Sequence, residues 1–437
     1  MRFHIIHPPF MIVNNENSIC AFSQKAKKFS KMMTEIGKHE VFFYGHEDSD
    51  VICTHLVPVT FNKDFISIYK KIPDFKDPAY VAGNNDAISN LYNYRTVAKI
   101  SELFKSEDII FEESLKKAKH PIEEEIIKNN IKIDNGESIE ELKNANNILM
   151  ETLKKMEENM KKSKVVQDFL VSMWGLPNEY KLLGHRLILT EQVGSNYTHC
   201  PYAAYESYAV LHTNYGIMGN CRPKAYDFVV PNYFDPLDFE QDFSDKSNSY
   251  FVFVGRISEC KGVEVIIEMA KHLPNEKFKL AGPGSLKECG FKNIPSNIEE
   301  VGTVNIEQRK ILLKNAKAFI LPTLYAEPFG GAEKEATMSG VPSITSNWAV
   351  FAETVLHGIT GYRANTIDQF VRAAKNIHKI DRKKCYEWAM NNYTLEAVYP
   401  RFEEWFYQLK VLFNGGGFYS VDETRTSMDY LNVYYPK

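Results

Sequence analysis

The chain has 437 residues, of which 44% are apolar and 13% aromatic, and its 52 basic and 56 acidic side chains give a formal charge of −4. This length predicts two or three domains, each large enough to bury a core of its own, and excludes a mini-protein held together by disulfides or a metal. The near-neutral balance gives no electrostatic reason to expect nucleic acid or an anionic membrane as the main partner, since such partners require concentrated Lys and Arg.

Seven cysteines are scattered along the chain, and no two of them lie within five residues of each other. Zinc sites and redox pairs usually need closely spaced ligands, so we interpret all seven as free thiols of a cytoplasmic protein. The N-terminus becomes polar too soon for a secretory signal, and no apolar run approaches the roughly 20 residues of a membrane span. We therefore expect no transmembrane segment.

The first 60 residues predict the beginning of a parallel sheet. A short apolar run covers 3–6, a helical pattern covers 19–36 and ends at Gly37, and a second apolar run covers 40–45. Strand, helix and strand at this spacing form a βαβ unit. Continuous apolar runs are typical of parallel strands that are buried on both faces. The strand pattern returns at 168–175 and 187–191.

A strongly charged segment interrupts this pattern. Residues 101–165 contain 12 lysines, 15 acidic residues and two aromatics, and they predict a helical insertion over about 106–165. Within it, residues 139–160 alternate apolar side chains at steps of three and four, with Asn146 at one of these positions, as in a heptad repeat with one polar core residue. Two interpretations remain open: a helix that lies on its own domain, or an intermolecular coiled coil that makes a homodimer.

A linker rich in Pro, Asn, Asp and Ser follows at 231–248, and a second series of strands and helices begins after it. Two such series predict an α/β fold of two doubly wound, Rossmann-like domains that face each other across a cleft, with the charged insertion in the first. Predicted strands cover 250–254, 277–281, 298–301, 318–321 and 341–345, and predicted helices cover 262–273, 306–316 and 331–339. The predicted domains are 1–235 and 236–405, followed by a helix and tail at 406–437.

Ligands of open α/β sheets bind beyond the carboxyl ends of the strands, so the residues just after the predicted strands are candidates for ligand binding. Gly255 ends a predicted strand, and Arg256 and Lys261 bracket the loop that leads into the next helix. Backbone amides, a helix dipole and two cations together favour a doubly charged phosphate group. A solvated turn with ordinary surface cations is the alternative.

A second cluster runs from Glu327 to Glu335, from the end of a strand into a helix. Its two glutamates can place one carboxylate in the loop and the other in the helix, both towards the cleft, where carboxylates accept hydrogen bonds from sugar hydroxyls. Gly330 and Gly331 open the helix with bare amide donors that suit phosphate. The alternative is an acidic helix start that interacts only with the helix dipole.

A third cluster, Gly282-Pro283-Gly284, resembles half of a dinucleotide-binding fingerprint but lacks the third glycine. A dinucleotide needs an acidic ribose partner about 20 residues further on, and Glu299 or Glu300 stands there. A dinucleotide-dependent oxidoreductase is therefore an alternative, although it leaves Arg256 and Lys261 unexplained.

These segments together resemble a known family. The strings FVGRISECKG, LAGPG, VGTV, AEPFGGAEKEATMSGVPSITS and ETVLHGITGY follow one another over about 250–363. In order and spacing they resemble the C-terminal half of the retaining glycosyltransferases of family 4, the glycosyl transferases group 1, which have the GT-B fold. The first half is similar to a narrower set of these enzymes through HPPF, CAFSQKAKKF, FFYGH, AAYESYAVLH and VVPNYFD.

The resemblance implies a role for individual residues. Arg256 and Lys261 would hold the diphosphate of a nucleotide-sugar donor, Glu327 would lie beside the donor sugar, and Glu335 would bind the nucleotide ribose. The amides of the glycine pair would contact the sugar or phosphate, and the backbone at 301–303 would border the base. The predicted catalytic residues are thus Arg256, Lys261 and Glu327, and the predicted donor-binding residues are Gly255, Gly302, Phe329, Gly330, Gly331 and Glu335.

The first half departs from the family pattern at two places. A glycine-rich loop common after the first strand is replaced by residues 10–17, and Asn178 stands where a catalytic-region histidine is expected. The nearest substitutes are His7, His185 and His199. Each of them has a plainer interpretation as a loop or core histidine.

The resemblance implies transfer of a sugar from a nucleotide-diphosphate donor to a glycan or other hydroxyl acceptor, with retention at the anomeric carbon. The leaving diphosphate can itself accept the acceptor's proton, so positioning and charge stabilisation suffice, and no metal or other cofactor is expected. Asp48-Ser49-Asp50 forms a D-x-D triplet of the kind that holds a metal in other glycosyltransferase folds, but it lies far along the chain from the phosphate cluster. A non-catalytic, GT-B-like carbohydrate-binding protein remains an alternative.

Overall fold

A computed structural model describes residues 1–14, 20–74, 86–135, 139–163, 168–173, 175, 180, 183, 186–195, 197–219, 224, 226–244, 246 and 249–413. These residues form two parallel β-sheets with helices packed around them. The α/β class and the two-sheet architecture predicted from the sequence are confirmed. Within this described part, no helix combines the length and the apolar character that crossing a membrane requires.

The first sheet has seven strands among the described residues, in the order β3-β2-β1-β4-β5-β6-β7, and all neighbouring strands are parallel. Its strands are β1 (Arg2–Ile6), β2 (Glu40–His46), β3 (His55–Thr60), β4 (Asp168–Ser172), β5 (Leu187–Val193), β6 (Tyr202–Tyr205) and β7 (Phe228–Val229). The helices before β7 are α1 (Ala21–Lys31), continued by a π-helical turn at Met32–Ile36, α2 (Asn62–Tyr69), α3 (Asp86–Asp134), α4 (Ile139–Ser163) and α5 (Tyr208–Ile217).

The apolar runs of the sequence lie in the centre of this sheet. Phe3 of β1 is opposite Val41 of β2 and Phe169 of β4, and all three side chains are fully buried. Strands with both faces covered need apolar side chains at successive positions, which explains why these strands read as continuous runs. The predicted strands and the helix that ends before Gly37 are therefore confirmed where the structure describes them.

The second sheet has six strands in the described range, in the order β10-β9-β8-β11-β12-β13, again all parallel. Its strands are β8 (Tyr250–Val254), β9 (Lys277–Ala281), β10 (Ile298–Gly302), β11 (Ala316–Leu321), β12 (Ser343–Ser346) and β13 (Gly361–Ala364). Its helices are α6 (Val263–His272), α7 (Ile306–Lys314), α8 (Gly331–Met338), α9 (Val350–Thr354), α10 (Ile367–Asn376) and α11 (Arg382–Tyr393). The elements predicted for this half are confirmed to within about three residues.

The charged insertion forms a long helical hairpin of α3 and α4. Helix α3 begins at Asp86, twenty residues before the predicted start, because Tyr92, Ile100 and Phe104 on its first turns are buried in the first domain. The heptad face of α4 packs against α3 of the same chain. Asn146, the polar heptad residue, exchanges side-chain hydrogen bonds with Asn129 and Asn130 of α3 at 3.0 and 2.8 Å. The pattern thus pairs two helices within the insertion, and the homodimer stays a prediction.

The last described helix, α12 (Leu395–Phe413), returns to the first domain. Its rings of Phe402 and Phe406 pack on Phe29 and Phe3, with centroids 5.3 and 4.7 Å apart. Residues 395–405, which the sequence predicts as part of the second domain, therefore pack with the core of the first, because their apolar side chains complete its buried cluster. The chain crosses between the domains at Phe234 and again beside it, where the amide of Leu395 donates to the carbonyl of Phe234 at 3.1 Å.

Candidate active site

Loops at the carboxyl edge of the second sheet pack so closely that they require glycine. A Cβ atom on Gly282, after β9, would lie 1.9 Å from the carbonyl oxygen of Gly255, after β8. Likewise, a Cβ on Gly262 would lie 1.9 Å from the carbonyl oxygen of Pro322, after β11, and Gly262 has a left-handed φ of +74°. These contacts bring the loop of Arg256 and Lys261 against the loop that precedes α8.

Lys261 and Glu327 meet where these two loops touch. The Lys261 ammonium lies 2.6 Å from Oε2 of Glu327 and donates to the hydroxyl of Tyr325 at 2.8 Å. The Tyr325 hydroxyl donates to the same carboxylate oxygen at 2.7 Å. Glu327 is mostly buried, whereas the Lys261 side chain keeps about a fifth of its surface exposed. The structure therefore brings together two of the predicted catalytic residues and adds a tyrosine that the sequence reasoning missed.

Arg256 belongs to the same charged cluster. Its side chain is exposed, and within the described part of the chain it makes no ion pair. Burial and the Glu327 carboxylate raise the pKa of the Tyr325 phenol, and the positive charge of Arg256 opposes this shift. Two cations, one tied to a carboxylate and one open to solvent, therefore lie at this edge of the sheet, as a diphosphate site would require.

Beyond this cluster the chain enters helix α8 through Phe329, Gly330 and Gly331. Gly330 precedes the helix and Gly331 is its first residue, so their amides lie at the N-terminal end of the helix dipole. The ring of Phe329 is buried between Phe234 and Tyr393, with centroid distances of 6.3 and 5.8 Å. Of the predicted donor-binding residues, Phe329 thus packs its side chain into the core of the second domain.

The second predicted glutamate, Glu335, has a protein partner in this structure. Its carboxylate lies 3.1 Å from Nε of Arg309, which comes from α7. Gly302 ends β10, and its carbonyl accepts a hydrogen bond from the amide of Gly282 at 2.8 Å. Val301 beside it is exposed. The residues predicted to border the ribose and the base therefore lie on the same edge as Gly255, at the ends of β8, β9 and β10.

A second Lys–Glu pair lies one turn into α8. Glu333 and Lys334 are both almost completely buried and pair with each other, and the Glu333 carboxylate also accepts a hydrogen bond from Ser343 of β12 at 2.8 Å. The Lys334 ammonium lies 5.1 Å from the ring centre of Tyr393. Burial lowers the pKa of Lys334, and Glu333 opposes that shift. The string EKE in the sequence does not show which of its charges is buried.

The third glycine cluster does not form a dinucleotide loop. Residues 285–290 after it are turns, whereas the fingerprint requires a helix whose first amides face the pyrophosphate. The carbonyl of Pro283 accepts from the amide of Ile257 at 2.8 Å, so the turn supports the Arg256 loop. The two acidic residues suggested as ribose partners are engaged elsewhere: Glu299 pairs with Lys279, and Glu300 accepts from the amide of Leu286.

In the first domain, His7 directly follows β1 at the carboxyl edge but is buried. Its ring stacks on Phe43 with a centroid distance of 5.2 Å and packs edge-on against Tyr92 of α3. Neither ring nitrogen has a hydrogen-bond partner among the described residues. Burial lowers the pKa of His7 to about 3. The imidazole is therefore almost completely shielded from solvent.

His199 is in a different position. About half of its side chain is exposed, and Nδ1 lies 3.5 Å from Oε2 of Glu191 at the end of β5. Glu191 is buried and also accepts hydrogen bonds from the amides of His199 and Cys200 at 2.5 and 3.0 Å. A side chain added at Gly175 would lie 3.5 Å from the His199 ring, so His199 lies beside the loop that follows β4. His185 and Asn178 lie outside the described residues.

The two domains touch through the carboxyl side of both sheets. The Ser207 hydroxyl, just after β6, donates to the carbonyl of Pro328 at 2.6 Å. The Glu353 carboxylate accepts from the amides of Tyr208 and Ala209, the first residues of α5, at 2.9 and 2.7 Å. A cavity of about 250 Å³ lies beside these contacts, and the residues lining it include Glu206, Tyr208, Phe329, Glu353, Trp388 and Arg401.

The D-x-D triplet lies apart from this site. Asp48 accepts a hydrogen bond from Asn62 at 2.8 Å, and Asp50 pairs with Lys27 at 3.4 Å. Its two carboxylates thus have different partners on the surface of the first domain. In the described ranges, no group of three or more His, Cys, Asp or Glu is arranged to hold a metal ion.

Two all-parallel sheets that contact each other through their carboxyl edges, with a cationic cluster on one of those edges, define the GT-B class of α/β protein. The structure of AviGT4, a glycosyltransferase involved in avilamycin A biosynthesis, superimposes with a TM-score of 0.58 over 95% of this chain and 98% of that one, at 15% identity. Residues 235–394 match the family described as Glycosyl transferases group 1. The match to this family thus falls in the second domain.

Curated relatives resemble a part of this chain. The 2-deoxystreptamine N-acetyl-D-glucosaminyltransferase of Niallia circulans is 30% identical over 118 residues, which are 25% of this chain and 30% of that protein. The capsular polysaccharide biosynthesis glycosyltransferase CapM of Staphylococcus aureus is 29% identical over 156 residues, 33% of this chain and 40% of that protein. The chain thus matches about a third of the length of these relatives.

Proposed function

We propose that the protein is a retaining glycosyltransferase that moves a sugar from a nucleotide-diphosphate donor to a hydroxyl acceptor, such as a glycan, without a metal. The family model that matches residues 235–394 supports glycosyl transfer, and so do two relatives named as glycosyltransferases that match part of this chain. The fold supports a donor on the second domain and an acceptor on the first, since open α/β sheets bind ligands at their carboxyl edges.

The observation that carries this proposal is the contact between Lys261 and Glu327 beside the exposed Arg256. A diphosphate needs at least two cations, and the sugar attached to it needs an acceptor of hydrogen bonds close by. Here the Lys261 ammonium and the Glu327 carboxylate are 2.6 Å apart, and the charge of Arg256 acts on the same tyrosine. Charged groups of these types therefore lie next to each other without any rearrangement of the backbone.

In the proposed reaction, the bond between the anomeric carbon and the diphosphate oxygen breaks, and a bond from the same carbon to the acceptor oxygen forms on the same face. The proton of the acceptor hydroxyl passes to the leaving diphosphate. Negative charge grows on that diphosphate in the transition state, and Arg256 and Lys261 stabilise it there. Glu327 orients the sugar, while Glu335 and the backbone near Gly302 are proposed to bind the nucleoside.

On the acceptor side we propose His199 rather than His7. The His199 ring is half-exposed and held by Glu191, whereas His7 is covered by Phe43 and Tyr92. A histidine that binds an acceptor hydroxyl must reach the cleft with one ring nitrogen free of the protein. The cytoplasmic location and the absence of a metal requirement stay predictions.

The proposal is tested with a panel of UDP-, GDP- and dTDP-sugars, scored by thermal shift and by slow hydrolysis of the donor. We expect one nucleotide class to raise the melting temperature and to be hydrolysed. Lys261→Ala should abolish the shift and lower the hydrolysis rate about 100-fold or more, because it removes a cation that stabilises the leaving group.

Lys271→Ala is the matched control, since Lys271 lies in the same domain and pairs with Glu268 on the surface of α6. It should leave both readouts unchanged. Stabilisation by NAD alone would instead support the oxidoreductase, and a thermal shift without hydrolysis or transfer would support a non-catalytic binding protein. Equal rates for Lys261→Ala and the wild type would refute the proposed role of this cation.

A further inference from the structure

The hydroxyl of Tyr325 lies between the two charged groups of the proposed donor site. It accepts a hydrogen bond from the Lys261 ammonium at 2.8 Å and donates one to Oε2 of Glu327 at 2.7 Å. The same carboxylate oxygen lies 2.6 Å from the ammonium, so the three polar atoms form a closed triangle. The Lys261 ammonium also lies 4.9 Å from the centre of the Tyr325 ring.

The backbone fixes where this tyrosine lies. The amide of Leu324, its neighbour, donates to the carbonyl of Cys260, the neighbour of Lys261, at 2.8 Å. The close approach of Gly262 to Pro322 holds the same two loops two residues further on. Tyr325 and Lys261 therefore come from loops that cannot slide past each other without breaking a backbone hydrogen bond and a tight glycine contact.

The Tyr325 hydroxyl forms hydrogen bonds with Lys261 and Glu327 at the same time. Because burial and the Glu327 carboxylate raise the pKa of Tyr325, its hydroxyl keeps the proton that it donates to the carboxylate. Its oxygen lone pairs remain available to the ammonium. When a diphosphate takes Lys261 and a sugar hydroxyl takes Glu327, the phenol can still bridge the two, whereas the direct ion pair between them is weakened.

We propose that Tyr325 is a positioning residue that holds Lys261 and Glu327 at a fixed separation, so that the diphosphate-binding cation and the sugar-binding carboxylate are in place before the donor arrives. The expected effect of Tyr325 on the transfer rate rests on the proposed function. The claim that Tyr325 holds Lys261 in place concerns the ligand-free protein and is tested separately. Tyr325 acts through its neighbours and is not assigned a contact with the reacting atoms.

The test is Tyr325→Phe, which removes the hydroxyl and retains the ring that packs on Lys261. The first readout needs no donor: brief acetylation of the folded protein, with modification of each lysine quantified by mass spectrometry. Loss of one hydrogen bond should raise the acetylation rate of Lys261 by about three- to tenfold, with Lys271 as the internal reference. An unchanged rate would overturn the proposal whether or not the protein is a transferase.

The second readout is the donor kinetics of the wild type, Tyr325→Phe, Lys261→Ala and the double variant. Tyr325→Phe should lower kcat about tenfold or more and change the donor KM less than threefold, because positioning matters most in the transition state. In the Lys261→Ala background the same change should cost less than about twofold. Additive losses would mean that Tyr325 does not act through Lys261, and they would overturn the proposal.

Tyr250→Phe is the matched control, because the Tyr250 hydroxyl donates to the carbonyl of Leu312 at 2.9 Å from the first residue of β8, at the opposite end of that strand from Gly255. It should change neither the acetylation of Lys261 nor kcat. Tyr325→Leu also lacks the hydroxyl and gives the same expected results if the phenylalanine variant does not fold. A wild type that neither binds nor hydrolyses nucleotide sugars would refute the proposed function, and the acetylation result would still decide the geometric inference.

Discussion

The carboxyl edges of the two sheets are organised differently, although the sheets share parallel topology. The second edge displays charged groups that contact one another, with Lys261, Tyr325 and Glu327 within 2.8 Å. At the first edge the histidine that follows β1 is buried, and neither ring nitrogen of His7 has a hydrogen-bond partner among the described residues. Charged side chains thus contact one another at the carboxyl edge of the second sheet, whereas the histidine that follows β1 of the first sheet is buried.

The two edges depend on different kinds of contact with the rest of the fold. Behind the second edge, the buried Glu333–Lys334 pair links α8 to β12, because Glu333 also accepts a hydrogen bond from Ser343. The first edge rests on aromatic packing, with Phe43 and Tyr92 around His7. Polar contacts centred on Glu353 and Ser207 join the two edges. Changes in the three regions should therefore have effects of different size and kind.

The largest effect is expected for Lys334→Met. This change leaves the Glu333 carboxylate buried with Ser343 but without its cation, and an uncompensated buried charge costs about 3–5 kcal/mol. The free energy of unfolding, measured with urea, should fall by that amount. The double variant Glu333→Leu, Lys334→Met should recover much of the loss, because neither charge is then left alone. Equal losses in the single and double variants would show that the pair does not anchor this edge.

A smaller effect, with a defined pH dependence, is expected for His7→Phe. The folded pKa of His7 is about 3 and its ordinary value is 6.5, so between these values the unfolded chain binds a proton that the folded one does not. Stability therefore rises with pH in this window and is lost as the pH falls below 6.5. From pH 7 to pH 5 the wild type should lose about 2 kcal/mol more than His7→Phe.

The comparison uses the free energy of unfolding from urea curves at both pH values. All other titrating groups are common to the two proteins, so their contributions cancel in the difference. His55→Phe is a suitable control, since it makes the same substitution at a histidine that is half-exposed on β3. Parallel pH curves for the wild type and His7→Phe would mean that His7 is hydrated, and the contrast between the two edges would weaken.

The smallest effect is expected for Glu353→Gln, at the contact between the edges. A glutamine side chain has a single oxygen acceptor for the two amides of Tyr208 and Ala209, so the contact should lose about 1 kcal/mol. Hydrogen exchange at these two amides should become several-fold faster, while α6 and α8 stay unchanged. Glu307→Gln, an exposed residue of α7 that pairs with Lys310, should leave the exchange at Tyr208 and Ala209 unaltered.

Much of the fold could be predicted because the central strands can be recognised from their own short stretches of sequence. Strands β1, β2 and β8 are buried on both faces over most of their length and appear as apolar runs in the sequence. Strand β3 was missed, because it lies at the edge of the first sheet, contains Pro58 and exposes half of its side chains. Strand β13, at one edge of the second sheet, is short and has no apolar run either.

Some residues of the candidate site could likewise be predicted from the sequence, and others could not. Arg256, Lys261 and Glu327 are predictable because local strings place them after strands, and the order of those strands brings them to one edge. Tyr325 was missed because its role depends on two loops that are more than 60 residues apart in sequence and touch through backbone atoms. The burial of His7 was also unpredictable, since it depends on α3, an element that enters from a distant part of the chain.

The return of α12 to the first domain has a consequence for how the chain acquires its structure during synthesis. Phe3, Phe29 and Phe169 are covered by rings that lie beyond residue 400, so the ribosome must complete the whole second domain before these rings emerge. The unit that is translated first is thus completed last, and its apolar face stays uncovered through most of translation. Cellular chaperones therefore have a long interval in which to bind that face.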